Sequence, residues 1–267
     1  MEASVCIDTL FPELAAHQKV EQVALAGIEQ IEFWGWRDKD IPALESATRE
    51  YGVRVSNFSA HRRGSPVMPN EHPTVLADIH EAVDVAASLG CTRLMVLSNE
   101  LGDGGRVVDS FTELSWEYKR DALCELLRRA LELVPDHISL AIEPLNAKID
   151  HPGNFLVSME QAVDITSRVA SPRAAVLADL YHLGVMGEDL IDIVERHTQH
   201  IGYVHIADMP GRGEPGTGDT NWDDLLKRLS AAGYTGTVGF EYMPKQPSAV
   251  SLRAVQELWK RCVRGRP

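Results

Sequence analysis

Eight times along this chain a short run of apolar, strand-favouring residues gives way to a longer segment with helical periodicity, and the alternation never breaks. The runs are 4–8, 28–33, 53–59, 93–97, 138–143, 174–179, 201–205 and 237–241. Helical segments follow at 13–26, 41–51, 71–89, 112–134, 158–169, 189–198, 221–232 and 248–263. Parallel strands need a crossover of about this size, and the crossover has one hand, so a strict β–α alternation leaves few topologies. Eight units predict a closed (β/α)8 TIM barrel, an α/β fold occupying 1–267 as a single domain. The alternative, an open doubly wound sheet, would place a glycine-rich turn after the first strand, and Asp8-Thr9-Leu10-Phe11-Pro12 is not one. No linker, low-complexity tract or charge block divides the rhythm, and 267 residues suit one large barrel.

Local signals agree. Gly90 follows the third helical segment as a C-terminal cap, Ser158 with Gln161 three residues on opens the fifth, and Asn221 caps the seventh. The net charge of −13 argues against a nucleic-acid surface, which wants a basic stripe. Cys6, Cys91, Cys124 and Cys262 form no Cys-x-x-Cys pair and read as reduced, buried thiols. The opening MEASVCIDTLF has no basic region and no long apolar run, so neither a secretory signal nor a membrane span is expected, and the cytoplasm is the expected location.

A barrel carries its chemistry where strands end and βα loops begin. Four candidate residues finish four successive strands there: Glu143, Asp179, His205 and Glu241. The long loops 98–111, 144–157 and 207–220 belong to the same face. One strand-end carboxylate is explained by a helix cap or an ion pair. Three converging with a histidine would repel one another, and a divalent cation removes the conflict. Oxygen-rich ligation with one imidazole suits Mn2+, Mg2+ or Co2+. Such an ion beside two carboxylates can remove a proton α to a carbonyl. Returning the proton to the next carbon is isomerisation and to the other face of the same carbon epimerisation; the residues leave both open.

These ends also carry a resemblance. Glu143-Pro144-Leu145-Asn146 with His151-Pro152-Gly153-Asn154-Phe155-Leu156, Asp179-Leu180-Tyr181-His182, the loop from His205 to Gly218 (HIADMPGRGEPGTG) and Gly239-Phe240-Glu241-Tyr242 resemble the hydroxypyruvate isomerase family of xylose isomerase-like barrels. The loop is the most specific of these. The resemblance implies Glu143, Asp179, His205 and Glu241 as metal ligands, Glu143 and Glu241 doubling as the acid/base pair, and His182 and Arg212 holding substrate oxygens. It departs at two places: family members often carry Gln at the position of His205, and Leu183-Gly184-Val185-Met186-Gly187-Glu188 replaces a common Gln and Glu-Gly. Both departures concern the substrate rather than the chemistry.

Other side chains are candidates on position alone. Asn146 and Lys148 follow the Glu143 strand, Glu214 lies beside Arg212 in its loop, and His61-Arg62-Arg63 follow the third strand; each could meet an anionic substrate or be a solvated loop group. His182 is read in the loop after the sixth strand. Trp34 and Trp36 could cap the substrate or pack strand ends. The expected partners are a small anionic substrate and other copies of the chain, a dimer or tetramer, with neither nucleic acid nor membrane. The rival functions are a ketose 3-epimerase of the D-tagatose type, which His205 favours and the glycine-rich loop opposes; a metal-dependent phosphodiesterase or endonuclease, which would want a basic groove; and a non-catalytic sensor, which would not need both Glu143 and Glu241.

Overall fold

Parallel strands β1 (Glu2–Cys6), β2 (Gln30–Phe33), β3 (Arg54–Ser59), β4 (Arg93–Val96), β5 (Ser139–Ile142), β6 (Ala174–Asp179), β7 (Ile201–Ile206) and β8 (Thr237–Phe240) pair in chain order, and β8 closes on β1. This is a computed structural model, and it describes residues 1–264; residues 265–267 of the expected domain lie outside the described residues. Helices α1 (Ala16–Leu25), α2 (Ile41–Tyr51), α3 (His72–Leu89), α4 (Trp116–Leu133), α5 (Met159–Val169), α6 (Leu180–Met186), α7 (Leu190–Arg196), α8 (Trp222–Ala231) and α9 (Ser248–Trp259) surround it. Among the described residues no helix is long and apolar enough to cross a membrane.

The expected caps form. Gly90 takes the left-handed conformation (φ 64) that ends α3. Ser158 accepts from the Gln161 N–H (3.2 Å), but the Gln161 side chain reaches back to the N–H of Val157 (3.1 Å), one residue before the cap. Asn221 accepts from the Asp224 N–H (3.1 Å). Two expectations need correcting. α4 begins at Trp116 rather than 112, because Ser115 is its cap, accepting from the Tyr118 N–H. The segment after β6 is not a loop: Asp179 accepts from the His182 N–H (3.0 Å) and starts α6, so His182 stands in a first helical turn. Seven residues with Gly184 inside are too few to show a helical period.

Alternation along the strands sorts side chains to two sides of the wall. Leu140, Ile142, Val204, Ile206 and Val238 join the large core between strands and helices. Met95, Leu97, Ala141, Leu145, Leu177 and Tyr203 form a small apolar core inside the barrel. The next inward positions along β5, β6, β7 and β8 are 143, 179, 205 and 239, then 241. Pairing brings Asp179 beside His205 and His205 beside Gly239. Three acids and an imidazole therefore stand above an apolar floor.

Candidate metal centre

Glu143, Asp179, His205 and Glu241 are all buried, and each offers one ligand atom such that the four atoms lie within 4.8 Å of one another. Asp179 ends β6 and His205 is the penultimate residue of β7, whereas Glu143 and Glu241 stand one residue past their strands. His205 Nδ1 faces the three acids: Glu143 Oε1 at 3.2 Å, Asp179 Oδ2 at 3.8 Å and Glu241 Oε2 at 3.8 Å. Trp34 Nε1 and Arg212 Nη2 each donate to a different oxygen of Glu241 and fix its orientation.

Burial raises the Glu143 carboxyl to about 7, against the hydrogen bond and charge of His205. Burial likewise raises Asp179 to about 6, against His205 and Arg212. Glu241 moves the other way: burial would raise it, but Arg212, His205 and Trp34 hold it below the usual glutamate value. Burial opposes a charged His205, yet Glu32 and Glu143 hold its pKa well above the ordinary histidine value. The site thus favours positive charge at the point its acids face, more than Arg212 alone supplies. Three oxygen donors and one nitrogen at this spacing fit a divalent cation such as Mn2+, Mg2+ or Co2+.

Above the cluster lies a cavity of about 560 Å³, lined among others by Trp34, Arg62, Leu101, Asp150, His182 and Arg212. Asn146 is buried beneath its wall and organises it. Its carbonyl accepts from the Ile149 and Asp150 N–H groups, and its amide donates to Asp150 Oδ2 and to His182 Nδ1 (2.6 Å). With Nδ1 accepting from Asn146, the second ring nitrogen, Nε2, stands 3.5 Å from Asp179 Oδ2 and 3.3 Å from Arg212 Nη2. Burial, helped by Arg212, pushes the His182 pKa well down, so this ring is neutral.

Arg212 reaches inward because its loop is forced to turn. Its own φ is +52, between Gly211 at +95 and Gly213, an uncommon conformation for a side chain to sustain. Asp208, fully buried, holds the loop: Oδ2 accepts from the Gly216 and Gly218 N–H groups (2.7 and 2.9 Å) and Oδ1 from Met209 (3.0 Å). Gly218 is required by space, since a Cβ there would lie 2.1 Å from the Met209 carbonyl oxygen. The guanidinium of Arg212 packs over the Tyr181 ring, 5.2 Å from its centre.

Three other candidates stand outside the cavity lining. Glu214 does not close on Arg212: its Oε2 accepts from the Lys245 N–H (2.8 Å) and ties the loop after β7 to the loop after β8. Lys148 donates to the Met186 carbonyl (2.7 Å) at the end of α6. The His61 ring is buried against the main chain of Leu97, 3.2 Å from its nitrogen. Its neighbour Arg62 lines the cavity instead. Trp36 packs on Phe58 under Arg37, while Trp34 joins the site. Sequence reasoning passed over Glu32, Asp150 and Asp208; a glutamate within the apolar run Gln30–Phe33 was the available signal for the first.

Known proteins share this fold. The family described as Xylose isomerase-like TIM barrel matches residues 20–262. The chain is 38% identical to a putative hydroxypyruvate isomerase of Streptomyces coelicolor, covering 93% of each. It is 29% identical to the hydroxypyruvate isomerase of Escherichia coli, over 94% of this chain and 96% of the relative. Among solved structures, one named AP endonuclease, family 2, from Brucella melitensis superposes with a TM-score of 0.82 at 27% identity, covering 94% of this chain and 96% of that one. The chain belongs to the xylose isomerase-like TIM barrels, and within them to the hydroxypyruvate isomerase family.

Proposed function

We propose that this protein is a divalent-metal-dependent isomerase of a small hydroxy-keto acid, interconverting a 3-hydroxy-2-oxo acid and its 2-hydroxy-3-oxo isomer through an ene-diolate. The observation that carries the reading is the meeting of Glu143 and Glu241 with Asp179 and His205 at one buried point open to the cavity. Glu143, Asp179, His205 and Glu241 would hold the ion. Bound there, a divalent ion supplies charge stabilisation to the ene-diolate oxygens as they form. Glu241, kept ionised by Arg212 and Trp34, is suited to take the proton from the carbon beside the carbonyl. Glu143, which faces the same point and lines the cavity, is placed to carry a proton back to the neighbouring carbon. The neutral His182 lines the cavity and can meet a substrate oxygen.

An acid rather than a neutral sugar is favoured by Arg62. It lines the cavity, and among the described residues no acidic side chain pairs with it, whereas Arg212 is taken by Glu241. A substrate carboxylate is the matching ligand. The names of the relatives point the same way. A cavity lined by Asp103, Asp150, Glu143 and Glu241 in a chain of net charge −13 speaks against a DNA substrate.

The test is solvent deuterium incorporation in D2O with Mn2+, followed by NMR, on hydroxypyruvate, a four-carbon 2-oxo acid and a ketohexose. Label in a keto acid with formation of its isomer supports the proposal. Label with inversion in the ketohexose alone would establish an epimerase, and no label in any would refute both. Arg62→Ala is expected to raise KM for the keto acid about tenfold or more while leaving kcat within a few-fold.

A further inference from the structure

Beneath the four donors the barrel holds a polar stack on inward positions of the other strands. His205 donates from Nε2 to Glu32 Oε2 (3.1 Å), and Tyr203 Oη donates to the same oxygen (2.5 Å). Ser56 Oγ lies 2.8 Å from Tyr203 Oη and 2.7 Å from Ser4 Oγ. Glu32 is 2% exposed, and among the described residues no lysine or arginine pairs with it; its other oxygen has no hydrogen-bond partner. A buried carboxylate so placed is costly unless its partners answer its charge. Its one ring partner is His205, whose opposite nitrogen faces Glu143, Asp179 and Glu241.

We propose that Glu32 is a positioning residue for the metal centre: by accepting the Nε2 proton it turns the Nδ1 lone pair of His205 toward the ion. The proposal rests on the metal reading above and concerns the far side of the ligand ring. An ionised carboxylate only accepts, so the hydrogen bond assigns the tautomer. Gly239 makes the contact possible. A Cβ there would lie 2.5 and 2.7 Å from the two Glu32 oxygens and 2.8 Å from His205 Cδ2. β8 therefore gives up a side chain beside His205 so that a carboxylate from β2, two strands away, can reach the imidazole.

The experiment compares the parent and Glu32→Gln, both stripped by chelation, in calorimetric titration with Mn2+ and in the visible spectrum of the Co2+ forms. The near-isosteric amide keeps the volume and removes the charge. Mn2+ affinity is expected to fall about 10–100-fold, with altered Co2+ band positions and a near-ultraviolet circular dichroism spectrum like the parent's. Should Glu32→Gln fail to fold, Glu32→Asp, which withdraws the carboxylate by one methylene, is expected to show the same weakening. Parent and folded variant binding Mn2+ within twofold of each other, with identical Co2+ spectra, would overturn the role of Glu32 and leave the metal centre standing. A parent that binds no divalent ion would overturn the metal reading, and this proposal with it.

Discussion

Replacing Asp78 by asparagine tests how the cationic wall of the cavity is held. Asp78 lies on α3, wholly buried. Oδ2 accepts from the N–H groups of Arg62 (2.9 Å) and Arg63 (3.1 Å), and Oδ1 accepts from Arg63 Nε (2.8 Å) and Nη2 and from Arg37 Nη2 (3.1 Å). Burial would raise this carboxyl, but Arg63 and the two backbone donors reverse the effect and hold it below the usual aspartate value. An asparagine can present oxygen to only one set of donors. With its carbonyl turned to the backbone, its NH2 faces two guanidinium groups and those bonds are lost. Each charge-assisted bond contributes roughly 1.5–3 kcal/mol. Arg37 and Arg63 are 36% and 53% exposed and recover water, which discounts the loss heavily. The expected destabilisation is about 2 kcal/mol, or roughly 4–8 °C in Tm. Urea unfolding should show a lower midpoint at unchanged slope. Because the asparagine carbonyl keeps the Arg62 N–H, the cavity wall at Arg62 is held and KM for the keto acid should change little. A stability change below about 0.5 kcal/mol would refute the reasoning.

Three further outcomes are expected. Glu241→Gln keeps the shape but removes a base, and should slow deuterium exchange at the substrate α-carbon by about 10²–10⁴-fold; exchange at the parental rate would remove Glu241 from proton transfer. Gly218→Ala drives a methyl group into the Met209 carbonyl, so the loop must shift and carry Arg212 with it; a loss of about 1–3 kcal/mol in chemical denaturation and a fall in turnover should appear together. Burial pushes His61 down to about 4 from an unfolded value near 6.5, so the unfolded chain takes up a proton that the folded one refuses. Its contribution is whole above pH 6.5 and lost as pH falls toward 4, about 3 kcal/mol in all. The pH dependence of parent minus His61→Asn stability, measured by urea titration between pH 7 and 4.5, should show this slope, and a flat difference would contradict it.

The barrel and the four donors were legible because both are written in local pattern. Strand, helix and strand-end acid recur in order, and parallel pairing then brings the ends of β5, β6, β7 and β8 together. What was not legible depends on contacts between distant strands. Glu32 reaches His205 across 173 positions of sequence, and no spacing rule connects them. The role of Gly239 appears only when a side chain is imagined at that point. Arg212 lines the cavity, but its loop also delivers it to Glu241, while Arg62 has no acidic partner among the described residues. His61 and Arg62 are sequence neighbours, yet one ring is buried against β4 while the other side chain lines the cavity. α6 escaped because its start is set by a ligand-candidate side chain, Asp179, acting as a helix cap.

The most direct measurement is the anomalous-scattering map of crystals grown with Mn2+. The account predicts one strong peak contacted by oxygens of Glu143, Asp179 and Glu241 and by Nδ1 of His205, with Glu32 still on the opposite ring nitrogen. A peak elsewhere, or none at saturating Mn2+ with these side chains turned apart, would contradict it.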